Sequence, residues 1–120
     1  MVFTTLTPNR IETFKATSTW HRYYADSKIF YSDGIRYLAD SATCYWLLDD
    51  IVSAQTYSVV SKVKFQIWTI EKIGKRSAVL WCEDEHGTKL FRKTIAYTVF
   101  PLKRVVIYMV NKNIMLASEY

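Results

Sequence analysis

"DGIRYLADSATCYWLLDDIVSAQ", residues 33–55, reads as helix from end to end, but its apolar face changes phase partway. Ile35, Leu38, Ala39 and Ala42 fall at i, i+3, i+4 and i+7, one stripe of a helix. Continued without a break, that stripe would next present Tyr45, Trp46 and Asp49. The stronger stripe downstream is instead Cys44, Leu47, Leu48, Ile51 and Ala54. The two are out of register by about two residues, roughly half a turn. The pattern predicts two short helices within 33–56, broken around Ser41 to Thr43, the alternative being one long helix buried on most sides. Ser32 or Asp33 is placed to cap the first helix, and Ser41 or Thr43 the second.

Downstream the period shortens to that of strands. "KFQIWTIEK" runs into "IGKR" and then "SAVLWCEDE", a hairpin in which Gly74 is free to take a positive φ. "EHGT" turns at Gly87 into "KLFRKTIAYT". Pro101 in "TVFPL" cannot donate to a ladder and breaks the pattern. "KRVVIYMV", the turn "NKN" and "IMLAS" follow. Short connections between consecutive strands favour an antiparallel meander. The expected fold is therefore α+β: a five-stranded antiparallel sheet over 62–118, covered on one face by the two helices. Residues 1–32 lack a clean period and are expected to be mostly loop, with a helical turn or a short strand near "KIFY".

A chain of 120 residues suits one domain, here 1–120. Half of it is hydrophobic, with three glycines and two prolines, which is a folded composition. Cys44 and Cys82 lie far apart in apolar runs and read as reduced, buried thiols. "MVFTTLTPNR" has neither the basic nor the apolar region of a signal peptide, and no run approaches the roughly 20 apolar residues of a membrane helix. A cytoplasmic location is expected. The net charge of +5 arises wholly in the C-terminal half, where eleven basic residues face five acidic ones. These cations are spread along strands and turns and form no tract.

Bond-making chemistry finds little footing. His86 stands in "CEDEHG", but alternate strand residues point to opposite faces and Glu85 to Gly87 read as the turn itself, so a metal site is not expected. The cysteines sit where a thiolate is disfavoured. No nucleophile elbow, P-loop or dinucleotide fingerprint occurs. Asp49 and Asp50 are adjacent on a helix and point about 100° apart. The expectation is a non-enzyme without a cofactor.

The helical stretch has a second face: Tyr45, Asp49, Ser53 and Thr56, with Trp46 and Asp50 beside it. Exposed rings next to carboxylates make a contact patch, because such rings dominate interface energetics. Tyr37, the aromatic on the polar side of the first helix, belongs with Tyr45, Trp46 and Asp49 as a candidate binding set. The alternatives are nucleic-acid binding through a basic sheet with exposed aromatics, and a small enzyme with an unfamiliar site.

"DG–x–x–YLAD", "YWLLD", "YT–x–FPL" and the final "SEY", in that order, resemble a family of small bacterial proteins of unknown function that is also met on phages and plasmids. The similarity runs from near Phe14 to Tyr120; "TSTWHRYY" departs from the family, which often has glycine there. The resemblance implies a compact intracellular protein and transfers no catalytic or ligand residues. A home on mobile elements implies stoichiometric action on another protein, with inhibition of a host enzyme or defence complex as its concrete form. Self-association through an uncovered strand edge stays open.

Overall fold

A computed structural model describes residues 13, 16, 19–25 and 27–120 of the chain. Among the described residues two strands come first, β1 (Trp20–Arg22) and β2 (Phe30–Ser32). Helices α1 (Asp33–Ala42), α2 (Tyr45–Ala54) and the single turn α3 (Ser58–Ser61) follow. Five further strands complete the sheet: β3 (Phe65–Lys72), β4 (Ala78–Glu83), β5 (Lys89–Ile95), β6 (Arg104–Val110) and β7 (Asn113–Leu116). A 3₁₀ turn closes the chain at Ala117–Glu119.

The fold is α+β, as the periodicities require, but among the described residues the sheet has seven strands, in the order β1-β2-β7-β6-β3-β4-β5. Two differences from a five-stranded meander have physical causes. The chain leaves β5 at one edge and crosses the end of the β3–β4 hairpin before β6 pairs antiparallel with β3. That crossing is fastened by Thr98 N–H to the Arg76 carbonyl and Lys72 N–H to the Lys103 carbonyl, while Phe100 and Leu102 bury into the open end of the core. The second difference is at the other edge. β1 and β2 form a three-residue antiparallel pair, and β2 joins β7 in parallel. Strands this short carry too few residues for alternation to show. Most of the expected irregular segment 1–32 lies outside the described residues.

The phase change in 33–55 is a real break between helices. Thr43 adopts the left-handed region at φ 50° and ends α1, with Cys44 N–H returning to the Ala39 carbonyl. The expected hydroxyl cap on α2 is absent: Cys44 occupies the cap position and makes no side-chain bond to the helix. Ser32 does cap α1, its Oγ accepting from Ile35 N–H at 3.2 Å. Both apolar stripes face inward: Ile35, Leu38 and Ala39, then Leu47, Leu48, Ile51 and Ala54, are all buried. They join one core with Trp68, Ile70, Leu80, Cys82, Ile107, Met109, Ile114 and Leu116, which alternate along β3, β4, β6 and β7. Each such large side chain contributes roughly 1.5–3 kcal/mol by leaving water.

Turn chemistry departs from expectation at Gly74, which takes no positive φ, while Gly87 takes φ 83°. The β6–β7 turn places two non-glycine residues, Asn111 at φ 50° and Lys112 at φ 70°, in the left-handed region. Two central residues of positive φ match the twist of the strands they join.

Candidate functional site

The outward face of α2 is the one the spacing requires. Tyr45, Asp49, Ser53 and Thr56 are all exposed, and Tyr45 retains 41 % of its surface. The phenol of Tyr45 donates to Asp40 Oδ1 at 2.5 Å, tying α2 back to α1. That bond is the main reason the Tyr45 hydroxyl is pushed up to about 12. Tyr23, from the segment after β1, donates to Asp49 and is likewise pushed up to about 12, by partial burial first and by that carboxylate second. Both phenols therefore stay protonated and hold two aspartates in place. Trp46 and Tyr37 stand differently: both are half-buried and pack against the core, so they support the rim of this face. Asp50 is drawn toward the sheet by Lys93, 2.8 Å away. Residues 33–56 hold four aspartates and one arginine, a net −3 within a chain of net +5.

His21 meets one of those aspartates. Its Nε2 lies 2.9 Å from Asp33 Oδ1, and Arg36 Nη1 lies 3.5 Å from Nδ1. A neutral ring with its proton on Nε2 satisfies both, since the carboxylate only accepts and the guanidinium only donates. The pair pins the three-residue β1 to the start of α1. Among the described residues no group of three His, Cys, Asp or Glu side chains could hold a metal ion. His86 sits at a solvated hairpin tip, where Asp84 Oδ1 accepts from the amides of His86 and Thr88. The Thr88 amide bond leads in holding the Asp84 carboxyl below its usual range. Both cysteines are free and buried, and burial pushes each thiol up to about 12.

Several cations of the sheet have carboxylate partners. Lys89 pairs with Glu83 at 2.7 Å and Arg104 with Glu71 at 3.8 Å. Both cations also stand over the Trp81 ring, at 5.4 and 5.9 Å from its centre. At the end of the sheet where β2, β3 and β7 begin, four lysines surround one cleft of about 750 Å³: Lys28, Lys62, Lys64 and Lys112. Its floor is an amide pair. Gln66, buried, exchanges hydrogen bonds with Gln55 at 2.8 and 2.9 Å, caps the Val60 and Val63 carbonyls, and accepts from Trp68 Nε1. Spacing along the chain did not reveal this group, because its members are up to 84 positions apart. A signal was present in hindsight: Lys64 directly precedes β3, Lys112 sits in the β6–β7 turn and Lys28 precedes β2, so strand pairing brings them to one end.

No helix among the described residues is long and apolar enough to cross a membrane. A profile of a family of unknown function matches residues 5–120. No curated protein and no solved structure matches the chain.

Proposed function

The chain belongs to DUF6876, a family of unknown function, and we propose that it is a non-enzymatic protein-binding module. The observation that carries this reading is the outward face of α2, where Tyr45 and Asp49 are exposed and each is fixed by a hydrogen bond to a neighbour. A ring held in place loses little freedom on binding, and a ring beside carboxylates suits a lysine- or arginine-bearing surface. The net −3 of the helical layer steers such a partner to this side of an otherwise basic molecule. A host enzyme or defence complex is the partner class we favour, on the strength of the resemblance to proteins carried by phages and plasmids. A cytoplasmic site of action goes with that reading.

The test is a crosslinker at residue 45 in the cells that carry the protein, followed by titration of the purified partner. Tyr45→Ala and Asp49→Asn should each weaken binding by about 2 kcal/mol, roughly 30-fold, while the melting temperature moves little. Unchanged affinity in both variants, or loss of the fold in Tyr45→Ala, would remove this face from the interface. Nucleic-acid binding by the sheet is the second reading, supported by Arg104 and Lys89 over Trp81. It ranks lower because both cations already answer to glutamates.

A further inference from the structure

We infer that the lysine-ringed cleft is a binding site for a polyphosphate chain, independent of the proposed protein-binding face. Four lysines line one concavity, and its described lining contains no aspartate or glutamate. None of Lys28, Lys62, Lys64 and Lys112 lies within ion-pair distance of a carboxylate among the described residues, whereas Lys89 and Lys93 do. Like charges gathered around a cleft repel one another, and low-dielectric walls focus their field, so an anion that enters relieves the repulsion.

The backbone gives a second, separate sign. Lys112 sits at φ 70°, a position where a type I′ turn ordinarily takes glycine after asparagine. A lysine there strains the turn, and residues held in sparsely populated backbone regions cluster at ligand-binding sites. Two backbone bonds hold the arrangement: Asn111 N–H to the Lys64 carbonyl at 3.0 Å and Phe30 N–H to the Lys112 carbonyl at 3.1 Å. These lock two of the lysines into one frame.

The cleft's size sets the ligand. About 750 Å³ lies within the range of small-molecule sites and is far short of a groove that tracks a long strand. The Gln55–Gln66 pair on the floor has its hydrogen-bonding capacity spent on itself and on neighbouring carbonyls. Recognition therefore rests on charge, and the linear di- or triphosphate is the compact anion that meets several lysines at once. Two sources carry that chain, inorganic polyphosphate and a nucleoside triphosphate. Tyr24, 60 % exposed on the rim and set edge-on to Tyr23, offers a face for the base of the second.

The experiment titrates the full chain with inorganic tripolyphosphate, ATP and a 12-nucleotide single strand, by calorimetry at low and physiological salt. One tripolyphosphate should bind per chain, weakening as salt rises. Lys64→Gln and Lys112→Gly should each lower its affinity about tenfold. Lys112→Gly should keep or raise the melting temperature, since glycine adopts positive φ freely, so its loss of binding cannot be blamed on unfolding. Lys75→Gln and Lys103→Gln, at the opposite end of the sheet, should bind as the wild type. Equal affinity for ATP and tripolyphosphate identifies the free chain as ligand. Tighter ATP binding that Tyr24→Ala abolishes identifies the nucleotide. Absence of heat and thermal shift with both anions at low salt overturns the inference. So does an oligonucleotide that binds a hundredfold tighter than either and is weakened equally by the substitutions at both ends.

Discussion

Glu119 explains residues that carry the family pattern at opposite ends of the helical and strand halves. Its carboxylate is buried and accepts from Ser32 Oγ at 2.5 Å, Leu116 N–H at 2.9 Å and Gly34 N–H at 3.1 Å. It thereby places negative charge at the positive end of α1. The approach is so close that a Cβ on Gly34 would stand 2.4 Å from Glu119 Oε1. "DG" and "SEY" are thus two halves of one contact. Glu119→Ala should cost about 2–4 kcal/mol by stranding three buried donors, read from the denaturation midpoint. Gly34→Ala should cost about 1–3 kcal/mol alone and less in the Glu119→Ala background, where the carboxylate clash is gone and the 2.8 Å approach to Leu116 Cδ1 remains. The thiols make a different kind of prediction. With both pushed up to about 12 by burial, the native protein should resist alkylation at neutral pH, and Cys44 and Cys82 should react only as it unfolds. Rapid labelling of either in the folded state would contradict that burial.

Helices were more legible than strands, and the reason is length. Ten residues allow a stripe to repeat, so the inward faces of α1 and α2 and the outward set Tyr45, Asp49, Ser53 and Thr56 could be read from spacing alone. Three-residue β1 and β2 show no alternation, and their pairing depends on β7, some 80 positions away. Caps were legible where a side chain does the work, as at Ser32, and illegible at Cys44, where none does. The depth of Tyr37 and Trp46 depends on neighbours the spacing does not name. The lysine cleft is a property of topology, and charge counting saw only scattered cations. The turn after β4 carries a pH dependence of known sign. Asp84 has a lowered folded value, so its support for the turn is full above the ordinary carboxylate range and is lost as pH falls through the lowered value. Protection of the His86 and Thr88 amides, taken relative to their intrinsic exchange rates, should fall on acidification, and Asp84→Asn should remove the dependence.

Charge divides the molecule, with the acidic helical layer on one side of the sheet and an unpaired lysine group at one end of it. The two proposed sites therefore favour ligands of opposite sign, and salt should weaken both. The edge strand β5 exposes Lys89, Arg92 and Lys93, the kind of charge that discourages pairing with a second copy. The most consequential feature of the topology is the place of β7, between β6 and β2. Since among the described residues β2 reaches the rest of the sheet only through β7, a nascent chain halted at Val110 has no strand on which to seat β1 and β2, nor a Glu119 to meet α1. Ribosome-tethered chains ending there should leave residues 19–35 open to protease, and extension by about ten residues beyond the exit tunnel should close them. Closure of this edge of the sheet must then wait until β7 and Glu119 have cleared the ribosome, so the order in which segments emerge decides when the edge can form.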